Sequence, residues 1–328
     1  DENGYPYDSY YEYHHDFLED TGVVIRVRIR GRQVRCKVWK CAEFENAPLY
    51  LLDANLPENE DRLITGQLYG WFAEERVAQE IILGVGGVRA LKALGIPVEI
   101  YHFNDSHPAL AGVELIREKM DVEGLRFEEA WEMVKERIVF TTHTPVKAGN
   151  EEHDHELLRY MGAYDGLTFG QMLRLGGDPF SMTIASLRLA KKTNAVAMLH
   201  TKTAQKMWGN VSGASKIICV TNGVFTGDWQ DRRISKAYEE DDDLWGPHQE
   251  AKSEMIEEIH RRSGVKLDAD TLTIGFARRA APYKRGDLIF SKPKEIGAYL
   301  KERRIQIILS GKAHPNDLAG KDILSKMY

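Results

Sequence analysis

From residue 74 to the end, segments with a helical period alternate with short apolar runs, and this alternation restricts the fold more than any other feature. A period of 3.6 predicts helices over 74–94, with Val77, Ile81, Ile82 and Val85 inward, and over 108–120, 127–137, 181–190, 194–208, 247–263 and most of 287–301. Short apolar runs predict strands over 98–103, 138–142, 216–220, 271–276 and 305–309. Strands that alternate with helices imply parallel sheets of the doubly wound type, an α/β class.

The chain before residue 74 reads differently. Ile25, Val27 and Ile29 alternate with Arg26, Arg28 and Arg30, a turn follows at Gly31-Arg32, and 34–39 alternates again. A hairpin is expected there, with a third, more buried strand over 48–52. The arginine stripe is read as a solvated sheet face rather than an anion site, because one wet face is normal for antiparallel sheets. The first 20 residues (Tyr5, Tyr7, Tyr10, Tyr11, Tyr13, His14-His15) show no clean period and are read as a packed loop. The acidic run 239–243 is read as a surface loop or linker near a domain boundary.

Length and charge limit the function classes. At 328 residues the chain exceeds the ~250–300 at which single cores stop growing, so two domains are expected. With 44 Lys and Arg against 50 Asp and Glu, the net charge of −6 argues against nucleic acid as a partner. No apolar run reaches the ~18 residues of a membrane helix, so no membrane association is expected. Three cysteines, Cys36, Cys41 and Cys219, are too few for a disulfide framework and point to a reducing, cytoplasmic compartment. The chain opens on Asp1 and stops at Tyr328, and parts are expected to be missing at both ends.

In open parallel sheets, ligands sit beyond the carboxyl ends of the strands. Five predicted strand ends carry polar groups there: Asn104-Asp105-Ser106-His107, Thr141-Thr142-His143-Thr144, Thr221-Asn222-Gly223, Arg278-Arg279 with Tyr283-Lys284-Arg285, and Ser310-Gly311-Lys312-Ala313-His314. Asn, Asp, His and Thr in the first three suit a polyhydroxylated ligand such as a sugar. Arg279, Lys284 and Lys312 in the last two suit a phosphate or other dianion. A single such end is usually a cap or turn, and Ser106 and Thr144 are candidate caps. Five together make that reading inadequate. Gly84-Val85-Gly86-Gly87 lies inside a helical pattern without a preceding strand, so close helix packing or a kink is expected, not a phosphate loop. His153-Asp154-His155-Glu156 is read as a surface helix start rather than a metal cluster, since residues i and i+2 do not share a helix face.

At these strand ends the sequence resembles the α-glucan (glycogen, starch and maltodextrin) phosphorylases, in their shorter bacterial and archaeal form. The resemblance is collinear from about residue 23 onward. It runs through Leu68-Tyr69-Gly70, Glu75-Arg76-Val77-Ala78-Gln79-Glu80, Asn104-Asp105-Ser106-His107-Pro108, Phe140-Thr141-Thr142-His143-Thr144-Pro145-Val146-Lys147-Ala148-Gly149, Thr221-Asn222-Gly223-Val224, Gly275-Phe276-Ala277-Arg278-Arg279 and Ser310-Gly311-Lys312-Ala313-His314-Pro315. The resemblance implies two Rossmann-like domains of the glycosyltransferase GT-B type facing a cleft, the second incomplete. Residues 1–220 would form most of the first, and 221–328 the opening of the second. It implies phosphorolysis of an α-1,4-glucan by inorganic phosphate, giving glucose 1-phosphate with retention, with pyridoxal 5′-phosphate as cofactor. By the same resemblance Arg279 and Lys284 bind the substrate phosphate. His143 and Asn222 bind the transferred glucosyl unit, Asp105, His107 and Thr144 edge its pocket, and Lys312 lies near the cofactor phosphate. No carboxylate pair like that of a retaining glycosidase is evident.

The departures are also informative. The family's Schiff-base lysine lies downstream of this chain and its glycine-rich loop upstream. The 328 residues alone are therefore expected to be inactive and not to hold the cofactor covalently. Trp71-Phe72 and Phe225 stand where many relatives carry polar residues or histidine. Alternative readings are a nucleotide-sugar-dependent glucan synthase and a non-catalytic glucan-binding remnant, and a homo-oligomer remains open.

Overall fold

The computed structural model describes residues 6, 15–42, 47–68, 72–144, 146 and 149–328. Most of the tyrosine-rich start, including Tyr5, Tyr7, Tyr10, Tyr11, Tyr13 and His14, lies outside the described residues, as do Tyr69, Gly70, Trp71, Pro145, Lys147 and Ala148. The chain divides into two compact units, 14–222 and 223–328.

The unit 14–222 opens with three antiparallel strands, β1 (Glu19–Ile29), β2 (Arg32–Cys41) and β3 (Leu49–Asp53), in that order. Ile29 pairs with Arg32 across a two-residue turn, and both turn residues, Arg30 and Gly31, have positive φ. That geometry matches the twist of the flanking strands. Ile25, Val27 and Ile29 are buried, as the alternation requires, together with Val34, Cys36 and Val38 of β2. Arg26 and Arg28 face solvent, whereas Arg30 pairs with Asp61 at 2.9 Å and Glu74 at 3.1 Å. β3 is not the more buried strand expected: it is the sheet edge, and Leu49 and Leu51 are exposed.

The inward face of this sheet packs on a long helix made of α1 (Ala73–Ile81), a π-turn (Ile82–Gly86) and α2 (Gly87–Ala93). Val77, Ile81, Ile82 and Val85 are all buried, as expected. The glycines act in packing. A Cβ at Gly84 would lie 2.7 Å from the Ala111 nitrogen and 2.9 Å from the Leu110 carbonyl carbon. Only a residue without a side chain lets the two helices approach that closely.

The rest of the unit is α/β. The strands β4 (Tyr101–Asn104), β5 (Ile138–Thr142), β8 (Lys192–Ala195) and β9 (Ile217–Cys219) form one parallel sheet in the order β4-β5-β8-β9. Helices α3 (Leu110–Glu123) and α4 (Phe127–Lys135) connect β4 to β5. A short antiparallel pair, β6 (Glu152–His153) with β7 (Phe180–Ser181), brackets α5 (His155–Met161) and α6 (Phe169–Gly176). Then α7 (Met182–Leu189) leads to β8, and α8 (Met198–Trp208) to β9. The segment 194–208, expected to be one helix, is thus the end of β8, a turn and α8.

Glu114 on α3 is a fully buried carboxylate in the core. Arg89 grips it with two bonds of 2.7 and 2.9 Å, Arg117 adds another at 2.8 Å, and both arginines also reach Asp165. Burial opposes ionisation of Glu114, but the two guanidiniums outweigh it and hold its pKa at about 2. This cluster ties α2 and α3 to the loop that follows α5. Cys36 and Cys41 are buried free thiols and Cys219 is exposed.

The unit 223–328 contains α9 (Thr226–Trp229), α10 (Arg232–Glu239), α11 (Trp245–Ser263), β10 (Leu272–Ala277), α12 (Pro293–Lys301), β11 (Ile305–Ser310) and α13 (Leu318–Met327). β10 and β11 form a parallel pair, in register from Leu272↔Ile305 to Ala277↔Ser310. Asp231 caps α10 through the Arg233 N–H, and Asp317 caps α13 through the Gly320 N–H, both at 2.9 Å. The run 239–243 is exposed where α10 gives way to α11. Among the described residues, no helix is long and apolar enough to cross a membrane.

Candidate active site

In the unit 14–222, three predicted strand ends lie at the same edge of the parallel sheet, because β4, β5 and β9 run in one direction. Asp105 follows β4 in a left-handed conformation, φ 67°, that an aspartate tolerates better than most residues. Its N–H bonds the Thr141 carbonyl at 2.9 Å, and its carboxylate accepts the Ser106 N–H at 2.9 Å and the Thr144 hydroxyl at 3.4 Å. Neither Ser106 nor Thr144 caps a helix as the cap reading expects. Thr144 donates to Asp105, and the Ser106 hydroxyl is buried without a partner among the described residues.

His143, just past β5, bonds Asn104 Oδ1 through Nε2 at 2.5 Å. An amide oxygen only accepts, so His143 carries its proton on Nε2 and presents Nδ1 as an acceptor. His107 has the same tautomer but presents its other ring nitrogen. Arg76 on α1 donates to its Nδ1 at 2.9 Å, and a guanidinium cannot accept, so the neutral His107 ring has its proton on Nε2. Beneath these groups, His102, Thr141 and Asn194 link β4, β5 and β8 through two bonds of 2.7 Å. Asn222, past β9, is fixed by its N–H to the Val196 carbonyl at 3.1 Å. Asp105 and Thr144 are therefore joined directly, while His143, His107 and Asn222 are each fixed by a different neighbour.

Arg76 is itself held by a buried network. It donates from Nε to Glu151 at 2.8 Å and lies 3.8 Å from Glu80, whose other oxygen meets His153 Nε2 at 2.8 Å. His153 and His155 are buried, not at a surface helix start as expected. His153 pairs with Glu80, and His155 bonds the Tyr164 hydroxyl and the Gly177 carbonyl. These partners come from distant stretches of chain, which i, i+2 spacing does not reveal. Glu80, Glu151 and His153 offer ligand atoms within 4.8 Å of one another. Arg76 already supplies a cation to both carboxylates, so the arrangement is an ion network that anchors Arg76. Burial lowers the His153 pKa, but the Glu80 carboxylate outweighs it and the net shift is upward.

One residue at this edge is invisible in the predicted elements. His200 opens α8, and its electrostatic neighbours include His143 and Asp105. Reading 194–208 as one helix hides β8, and with it a fourth strand end. The signal was the short Thr193–Val196 stretch before the helical period begins.

The unit 223–328 carries the cations. Beyond β10 and β11 the pairing continues, Arg278 N–H to the Ser310 carbonyl and Ala280 N–H to the Lys312 carbonyl, both at 3.0 Å. Arg279 and Lys312 thus stand on adjacent strand ends. The approach requires Gly311, where a Cβ would lie 2.0 Å from the Arg278 carbonyl oxygen. A 3₁₀ turn over Pro282–Lys284 brings Tyr283 against both Arg279 and Lys284. Its hydroxyl accepts from Arg279 at 3.4 Å, and the Lys284 ammonium sits 4.8 Å from its ring centre. No carboxylate pairs with Lys284 or Lys312 among the described residues. The cavity of about 910 Å³ beside α11 and β10 and that of about 590 Å³ beside β3 and α2 include none of these side chains.

Residues 86–162 match the family model for carbohydrate phosphorylases. The chain is 36% identical to maltodextrin phosphorylase of Thermococcus litoralis over 93% of its own length and 42% of that protein. It is 33% identical to glycogen phosphorylase of Aquifex aeolicus, covering 92% of this chain and 51% of the relative. For glycogen phosphorylase of Mycobacterium tuberculosis the figures are 31%, 93% and 43%. The chain thus spans about half the length of these relatives. The similarity to these phosphorylases runs through more than nine-tenths of this chain, and residues 86–162 within it match the carbohydrate phosphorylase family.

Proposed function

We propose that the protein uses inorganic phosphate to cleave the terminal α-1,4-glucosyl bond of a maltodextrin, releasing glucose 1-phosphate with retention. The observation that carries this reading is the division of the polar strand ends by chemistry: neutral and acidic hydrogen-bonding groups in 14–222, cations in 223–328. The names of the relatives support it. In this reading the units correspond to the two Rossmann-like domains of a GT-B transferase, and the protein is cytoplasmic.

His143 accepts from a sugar hydroxyl through Nδ1, and His107 donates through Nε2–H. Asp105, Thr144 and Asn222 complete the hydrogen bonds that orient the glucosyl unit. As the glycosidic bond breaks, positive charge grows on the sugar and negative charge on the leaving oxygen and phosphate. Arg279 and Lys284 hold the attacking phosphate and stabilise that charge without reorganising. Lys312, exposed and without a carboxylate partner among the described residues, fits the phosphate of pyridoxal 5′-phosphate. When bound, that group supplies a second phosphate able to exchange a proton with the first.

The test is incubation of the full protein with maltodextrin, inorganic phosphate and pyridoxal 5′-phosphate, with glucose 1-phosphate as the readout. Its release is expected. Glucosyl transfer from a nucleotide sugar without glucose 1-phosphate would instead identify a glucan synthase, and maltodextrin binding without turnover a glucan binder.

A further inference from the structure

Val196, at the end of β8, holds two residues at once. Its N–H donates to His200 Nδ1 at 3.3 Å, and its carbonyl accepts the Asn222 N–H at 3.1 Å. A ring nitrogen that accepts carries no proton, so the neutral His200 ring bears its proton on Nε2. Burial lowers the His200 pKa and the nearby His143 ring adds to this, while Asp105 opposes it, and the net shift favours the neutral ring. Nε2 is buried and meets no acceptor among the described residues. A buried N–H without an acceptor destabilises the fold that contains it. His143 and Asp105 are electrostatic neighbours of the ring, and Val196 ties it to Asn222, so His200 lies at the sheet edge that carries the groups assigned to the sugar.

We propose that His200 is a further sugar-binding residue, its Nε2–H donating to a hydroxyl of the glucan unit that His143, Asp105 and Asn222 hold. This rests on the glucan reading above. A hydroxyl suits the donor better than an anion does, because the Asp105 carboxylate acts on the same place. The residue is poised for a ligand: its donor is unsatisfied among the described residues and its tautomer is fixed by the main chain.

Two substitutions in the full protein test this, His200→Phe and His200→Gln. Phenylalanine fills the space without a donor, and glutamine places an amide N–H near the Nε2 position. The readouts are maltodextrin affinity by calorimetry and the thermal midpoint without ligand. His200→Phe is expected to weaken maltodextrin binding by about tenfold, the worth of an ordinary hydrogen bond, while its midpoint holds or rises. His200→Gln is expected to recover most of the affinity. Unchanged affinity in His200→Phe overturns the inference, and so does a fall in both midpoint and affinity that glutamine does not reverse, since that marks a purely structural role. If the unsubstituted protein fails to bind maltodextrin, the glucan reading itself falls and takes this inference with it, a result visible before any variant is compared.

Discussion

Replacing Gly84 by alanine separates packing from helix propensity. On propensity alone the change stabilises, since glycine inside a helix is about 1 kcal/mol worse than alanine. The structure reverses the sign. The added Cβ would sit 2.7 Å from the Ala111 nitrogen and 2.9 Å from the Leu110 carbonyl carbon, which are main-chain atoms that cannot rotate away. The helix pair must open by about 1 Å to restore an ordinary carbon contact of ~3.5–4.0 Å. Overpacking costs about 1–3 kcal/mol, and a clash with fixed main-chain atoms falls in the upper half of that range, about 2–3 kcal/mol, so after the propensity gain a net loss of about 1–2 kcal/mol is expected. For a unit of this size that lowers the thermal midpoint by about 2–8 °C. Gly87 is the control, because a Cβ there meets nothing within 4 Å, and Gly87→Ala should raise stability by about 0.5–1 kcal/mol. Calorimetric unfolding of both variants is the assay. A Gly84→Ala protein as stable as the parent would refute the claim that this glycine exists for helix contact. α3 begins at Leu110, three residues past His107, so the same variant is expected to weaken maltodextrin binding.

Removing Glu114 leaves Arg89 and Arg117 with only Asp165 as a shared anion inside the fold. Glu114→Ala is expected to cost about 3–5 kcal/mol in urea unfolding, whereas a surface carboxylate would cost under about 1 kcal/mol. The His153–Glu80 pair predicts a pH dependence. The folded pKa of His153 is raised above its usual 6.5, so its contribution is fully present below about 6.5 and is lost as pH rises through the folded value. Unfolding free energy should therefore fall over that window, and His153→Gln should flatten the slope there.

The helix over 74–94 was legible because its period is long and unambiguous, and the parallel strands because their apolar runs are set off by helical periods on either side. The polar strand ends were legible for the same reason, since locating a strand also locates the residues just beyond its carboxyl end. The sequence hid those features that short segments and distant partners decide. β8 spans Lys192–Ala195 and reaches α8 within two residues, so its pattern merges with the helix, and His200 goes unnoticed. His153 reads as exposed until Glu80, 73 residues earlier, is brought against it. The role of Arg76 depends on the same folding, because nothing in its helix repeat shows that it faces His107. Tyr283 could be seen between Arg279 and Lys284 in the sequence, but that it contacts both side chains depends on the 3₁₀ turn.

The central claim is that sugar-binding groups in 14–222 and cations in 223–328 serve one phosphorolysis. The most direct measurement is glucose 1-phosphate release from maltodextrin and inorganic phosphate by the full protein and by Arg279→Ala, with maltodextrin affinity measured alongside. The account predicts release by the first and a loss of about 10²–10³-fold in the second, with maltodextrin affinity kept. Unimpaired turnover by Arg279→Ala would contradict it.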